Sequence, residues 1–205
     1  MNQEFVKKTK ELIDHLKATC ANNGLGNDGN EYKIIVQIFL YKYMNDKFAY
    51  EVKKNDARLA KAEKWEDEIA GYSDAEYNRL LMKLGPDTPQ LKREHYLARL
   101  FSRQNDPDFA KIFDATLQEV GALNNEIFSV RTDEGTRVVL FDEISTFVAG
   151  SQQKRDAFCR ALISPLINFS FEKMFGEKFD FFATIFEYLI KDYNKDGGGK
   201  YAEYY

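Results

Sequence analysis

At 205 residues the chain has room for one good core, or for one domain with a small appendage. Its 44% hydrophobic and 30% charged residues exclude a disordered polymer, and a formal net charge of −4 gives no overall attraction to nucleic acid, so any such contact must come from a local patch. The 17 Phe and 12 Tyr imply large, well-filled packing layers. Cys20 and Cys159 carry no pairing signature and read as free thiols. The first residues lack the apolar core of a signal peptide. The most apolar run, 34–44, is broken by Gln37 and Lys42, so no membrane span is expected and the expected compartment is the cytoplasm.

Phe5, Leu12, Ile13, Leu16 and Cys20 recur at helical spacing and predict a helix over 3–20. The loop after it holds Gly24-x-Gly26-x-x-Gly29, which matches the dinucleotide fingerprint in its letters. That fingerprint needs a strand before the first glycine, so that the turn aims a helix N-terminus at pyrophosphate. Here a helix precedes it, and the run reads as a helix–helix loop. Residues 31–52 are apolar on almost every side and predict a central helix, with Gln37 and Lys42 placed at its rim. Charges alternate in sign around Leu59 and Trp65, which predicts a solvated helix over 56–69. Ser73-Asp74-Ala75-Glu76 is a capping box for a short helix ending at 84, closed by Gly85-Pro86.

Thr88-Pro89 reads as a cap followed by proline at the first helical position. On a helix from there, Lys92, Arg99 and Arg103 share a face, with His95 beside them. This is the best basic stripe in the chain, and it has two readings: a solvated face paired with nearby acids, or a contact with DNA phosphates. Asp106-Pro107 repeats the cap-plus-proline start, followed by a buried stripe of Phe109, Ile112, Phe113, Leu117 and Val120. From Asn125 the pattern changes. The runs 127–132 and 136–141 are β-branched and aromatic, separated by Asp133-Glu134-Gly135, which predicts a hairpin whose tip is flanked by Arg131 and Arg137. A lone hairpin is marginal, so its apolar face should close the bundle. Helices are expected over 151–163, over 166–175 after the Ser164-Pro165 break, and over 179–193. The expected fold is mainly α, a multi-helix bundle with one small β-hairpin at about 127–141.

His15 and His95 are the two histidines, and no HExxH, CxxC or GxSxG occurs, so zinc or serine-nucleophile catalysis has no support and no catalytic residue is assigned. Asp192-x-Asn194-x-Asp196-Gly197, five residues and then Glu203 satisfy the calcium-loop pattern. Against it, Gly199 stands where such loops carry an aliphatic residue, no second loop exists to pair with it, and Glu203 lies two residues before the last. No metal is therefore assigned. A stand-alone helical interaction module with a degenerate EF-hand-like calcium loop at 192–203 remains the alternative reading.

Phe186-Glu187-Tyr188-Leu189-Ile190, a charged spacer, Gly197-Gly198-Gly199-Lys200 and Glu203-Tyr204-Tyr205 resemble the junction in type I restriction-modification methylation subunits. In that family a helical N-terminal domain passes through a glycine-lysine linker into an aromatic segment that opens an S-adenosylmethionine-dependent adenine methyltransferase domain. Upstream, 16–48 looks like the family's opening helix pair. Ala202 stands where the family commonly has Gly, and the Thr-Pro that should come next would lie beyond Tyr205. The resemblance implies a helical assembly and DNA-enclosing domain over 1–196, and a glycine linker with the truncated start of the methyltransferase domain over 197–205. It further implies S-adenosylmethionine as cofactor of the parent enzyme, with Glu203, Tyr204 and Tyr205 in a cofactor-binding segment. DNA, a specificity subunit and a restriction subunit are the implied partners, and Lys92, Arg99 and Arg103 are the candidate DNA contacts. The family's Asn-Pro-Pro-aromatic motif, which holds a flipped-out base, is missing here, so the fragment is expected to be inactive alone.

Overall fold

The chain divides into two compact units, Met1–Glu172 and Lys173–Tyr205. The structure, a computed structural model, describes residues 3–26, 29–128 and 139–176. Eight α-helices and short 3-10 turns make up the regular structure among them, and none of these helices is long and apolar enough to cross a membrane.

Helix α1, Gln3–Asn22, buries Leu12, Ile13, Leu16 and Cys20, the stripe expected from their spacing. It ends where the N–H of Leu25 donates to the Cys20 carbonyl and Gly24 takes a φ of 81°, a left-handed backbone that suits glycine at a helix C-terminus. Gly26 lies against Ala21, where a Cβ would come within 3.1 Å of its Cα. The first two glycines thus close one helix, and Gly29 opens the next with no strand before them. Helix α2, Gly29–Asn55, is about 40 Å long at 1.5 Å per residue. It is buried on nearly every side, with Ile34, Ile38, Met44, Phe48 and Val52 fully enclosed. Phe39 sits in an aromatic cluster with Phe169 and Phe171, and Phe48 packs against Trp65 and Tyr96.

The charged stretch expected as one helix over 56–69 is two. Helix α3, Ala57–Lys61, is capped by Asp56 and stops at Ala62, whose backbone is extended; helix α4, Trp65–Ala70, restarts so that Trp65 can turn inward. Ser73 and Glu76 form the expected capping box on α5, Asp74–Leu81. No helix begins at Thr88-Pro89. The chain runs extended to a 3-10 turn at Arg93–His95, then enters α6, Leu97–Ser102. Helix α7 spans Phe109–Phe128, starting later than Asp106-Pro107 suggests because Asp108 adopts a φ of 57°. It buries Phe109, Phe113, Leu117 and Val120.

The expected hairpin is not seen. Ile127 and Phe128, placed in its first strand, are the last residues of α7, and 139–141 form no strand. Residues 129–138, with Arg131 and Arg137, lie outside the described residues, and no strand occurs among those described. Tertiary packing overrides local β-propensity here: the α7 stripe continues through Val120, Gly121 and Asn124. Phe141, fully buried, does close the bundle, lying over α7 where a Cβ on Gly121 would approach its ring to 3.1 Å. Helix α8, Gln152–Ile163, is capped by Ser151 and packs on α7 and α1. A 3-10 turn, Ser164–Asn168, follows with Pro165 in its first turn, and the helix expected to resume over 166–175 gives way to extended chain and a second 3-10 turn, Glu172–Met174. The expected final helix over 179–193, the loop 192–203 and Glu203, Tyr204 and Tyr205 lie outside the described residues.

Much of the chain between helices is irregular, and buried backbone there needs partners. Helix side chains supply them. The Gln37 carboxamide accepts from the Asp142 N–H at 2.8 Å and donates to its carboxylate at 2.7 Å. Asn45 accepts from the Leu97 N–H at 2.9 Å, doing for α6 what its own N-cap Tyr96 does not. Asp46 accepts from the Phe171 N–H at 2.8 Å and from the Lys42 ammonium at 2.8 Å, both charges almost fully buried. Asp114 takes the Ser145 N–H at 3.0 Å and its hydroxyl, and Asp156 takes the Ala110 N–H at 2.8 Å, capping α7 from α8. Gln37 and Lys42, expected at the rim, are therefore interior residues at 8% and 5% exposure, tolerated because both are hydrogen-bonded.

Asp46→Ala would leave the Lys42 ammonium buried without a counter-charge and the Phe171 N–H without an acceptor. A loss of about 3–5 kcal/mol is expected, read as a lowered midpoint in urea unfolding at pH 7. Asp106→Ala, whose carboxylate meets Arg103 at the surface, should cost under about 1 kcal/mol in the same experiment.

Candidate functional site

The segment 88–103 carries the candidate basic residues and the one buried histidine. It is pinned from three sides. The Asn124 carboxamide accepts from the Gln90 N–H at 2.7 Å and donates to the Gln90 carbonyl at 2.8 Å, pairing with it as a neighbouring strand would. The Tyr77 hydroxyl donates to the Leu91 carbonyl at 2.7 Å; its one hydrogen being used, it accepts from the Tyr96 hydroxyl at 3.0 Å. The Tyr41 hydroxyl donates to the His95 carbonyl at 2.8 Å. Burial pushes Tyr41 and Tyr96 far above the usual phenol range, so both remain neutral donors. Arg93 stacks on the Tyr77 ring at 4.5 Å and reaches Asp74 at 3.0 Å and the Tyr72 carbonyl at 2.8 Å, clamping the turn to α5.

This trace separates the basic stripe. Lys92 lies in the extended part and pairs with Glu119 of α7 at 3.2 Å. Arg99 lies on α6 and meets Asp67 of α4 at 3.3 Å. Arg103 pairs with Asp106 of the following loop at 3.0 Å. The three cations are each about half exposed, but they diverge toward three different acids instead of forming one row. Seven- and four-residue spacing places side chains on one face only along a continuous helix, and the chain is not helical from 88 to 92.

The structure instead brings together Lys92, Glu94, His95 and Glu119. His95 is 1% exposed; its Nδ1 accepts from the Lys92 N–H at 3.3 Å, and its Nε2 faces Glu119 at 3.0 Å. With Nδ1 an acceptor, the ring proton of the neutral imidazole sits on Nε2 and is donated to Glu119. Donor atoms of Glu94, His95 and Glu119 lie within 4.8 Å of one another, the spacing of a metal triad. The tautomer opposes that use. A metal on Nε2 would move the proton to Nδ1, where the Lys92 N–H already points, leaving two donors face to face. The cluster is better described as a His95–Glu119–Lys92 bridge joining the segment to α7. Nothing local in the sequence announces it, since Glu119 lies 24 residues from His95 on another element.

Cys20 and Cys159 are free and buried, as expected. Desolvation raises both thiols, Cys20 to about 12 with a smaller push from Glu31, so neither is a ready nucleophile. His15 is exposed on α1, away from any such cluster. Comparison with protein-family models, with curated proteins and with solved structures finds no match to this chain.

The His95 N–H, and to a lesser degree Lys92, hold the Glu119 carboxyl below the usual carboxylate range. The folded value being lower than the unfolded one, about 4.3, the bridge contributes fully above that pH and loses its contribution as the pH falls through the folded value. Glu119→Gln should therefore be less stable than the parent at pH 7, and the gap should narrow steadily as the pH is taken down below about 4.3, measured by urea unfolding at each pH. A difference that does not change with pH would assign the effect to packing.

Proposed function

We propose that this chain is the helical N-terminal domain of a type I restriction-modification methylation subunit, serving subunit assembly and DNA enclosure. The observation that carries the reading is the order of residues at 186–205: an aromatic, acidic run, then Gly197-Gly198-Gly199-Lys200, and Glu203-Tyr204-Tyr205. The mainly helical architecture of the described residues is in keeping with it. In this reading the parent enzyme moves a methyl group from S-adenosylmethionine to adenine N6, and Glu203, Tyr204 and Tyr205 meet the cofactor once the rest of that domain follows them. The specificity and restriction subunits of the same cytoplasmic system are its protein partners.

The positions of Lys92, Arg99 and Arg103 shape what DNA contact by them would require. Each cation has a carboxylate within 3.3 Å, so a phosphate would have to replace an acid at each one. Such contacts position a duplex without reading bases.

The direct test is the coding frame beyond Tyr205. Thr-Pro, then a glycine-bearing cofactor loop and an Asn-Pro-Pro-aromatic motif, are expected; a stop codon there would contradict the reading. In the assembled complex, Arg99→Ala with Arg103→Ala should weaken binding alike on all DNA sequences. It should also lower the slope of log affinity against log salt by up to about 1.8, at about 0.9 per phosphate contact. An unchanged slope would return both residues to the solvated surface.

A further inference from the structure

Between the C-terminal end of α5, the 84–92 segment and Leu123 of α7 lies an open cleft of ≈ 590 Å³, within the range of about 300–1,000 Å³ typical of small-molecule sites. Leu81, Met82, Leu84, Pro86, Pro89 and Leu123 give it apolar walls. Met82 is 84% exposed at the rim, a large, pliable side chain left in water. The floor is pre-organised, because the backbone of Gln90 and Leu91 is held by Asn124 and Tyr77.

Two polar groups on this surface stand apart. Thr88 is only 5% exposed and lines the cleft, and its hydroxyl makes no hydrogen bond among the described residues. The Tyr77 hydroxyl on the same wall is fully used. The Thr88 oxygen is not among the buried atoms left without a partner, so it is reached from the cleft and can pair with a polar group that enters there. The second group is Lys92, the one charged residue among the described residues that line the cleft. Its partner Glu119 also holds the His95 N–H, so Glu119 keeps a donor if the ammonium turns toward the cleft. Thr88 and Lys92 stand at the two ends of the extended stretch, at most about 13 Å apart at 3.3 Å per residue.

We propose that this cleft binds a small aliphatic monoanion with a polar far end, such as an ω-hydroxy carboxylate. Its chain lies on the Leu81–Leu123 walls, its carboxylate meets Lys92, and its distal hydroxyl pairs with Thr88. The occupant is a small molecule because the cleft's volume suits one, and the described residues that line it carry a single cation among neutral walls, which matches one anionic charge.

The probes are 10-hydroxydecanoate, decanoate and 1,10-decanediol, titrated by calorimetry into the full chain and into variants whose parent-like circular dichroism and cooperative unfolding show them folded at the working temperature. The hydroxy acid should bind most tightly. Thr88→Val should weaken it about fivefold, one hydrogen bond's worth, while leaving decanoate unchanged. Lys92→Gln should weaken both acids about tenfold and leave the diol unaffected. Leu123→Trp, which fills the cleft, should abolish all three. Glu119→Gln should tighten both acids by releasing Lys92. Absence of saturable binding at millimolar ligand would overturn the site; a diol that binds as tightly as the acids, or indifference to Thr88→Val, would overturn the assigned chemistry.

Discussion

Asp46 receives three hydrogen bonds in the middle of the protein, from the Lys42 ammonium, the Asn45 carboxamide and the Phe171 N–H. It is the centre of the constraint on which the remaining structure depends. A long apolar helix would by itself accept any greasy neighbour in many registers. Placing a buried carboxylate and a buried amide side by side on it removes that freedom, because Leu97 must come to Asn45 and Phe171 must come to Asp46. Each misplacement would strand a charge or a donor away from water, at a cost of several kcal/mol for the charge and about 1–3 for a neutral group. The ion pair adds little stability over a well-packed apolar pair; what it contributes is a unique position for two otherwise irregular segments.

The same device recurs at Gln37 with Asp142, Asp114 with Ser145, Asn124 with Gln90 and Asp156 with Ala110. In each case a carboxylate or carboxamide on a helix takes the place of a backbone partner. This lets a mostly helical protein carry long non-helical stretches inside its surface without paired strands. The 88–96 segment is the clearest beneficiary. Held by Asn124, Tyr77, Tyr41 and Arg93, it presents one side to the cleft beside α5 and the other to the His95–Glu119 bridge.

Helices α1, α2, α5, α7 and α8 were legible in the sequence because their signals are local: apolar residues at helical spacing, and Ser73 as a cap for α5. The misreadings share a cause. Thr88-Pro89 looks like a helix start, but Thr88 closes a turn backward onto Gly85, and Gln90 is claimed by Asn124 from 34 residues away. Asp106-Pro107 is displaced because α7 is capped from α8. Ile127 and Phe128 have strand-like chemistry yet complete a helix whose buried stripe began at Phe109. The Lys92–Arg99–Arg103 stripe depended on a helix that is not formed at its first member. Gln37 reads as a rim residue because its partner Asp142 lies 105 residues away, whereas the Lys42–Asp46 pair, one helical turn apart, is readable in principle.

Native-state hydrogen exchange of the Leu97, Ala110, Ser145 and Phe171 amides tests the central claim most directly. These four amides lie in irregular segments or at helix starts, and each has a side-chain acceptor on a helix as its partner. The account predicts that they exchange with protection comparable to the interior amides of α2, since opening any of them requires opening the core. Exchange at the rates of unprotected loop amides, with α2 still protected, would show that these contacts do not hold the segments and would contradict it.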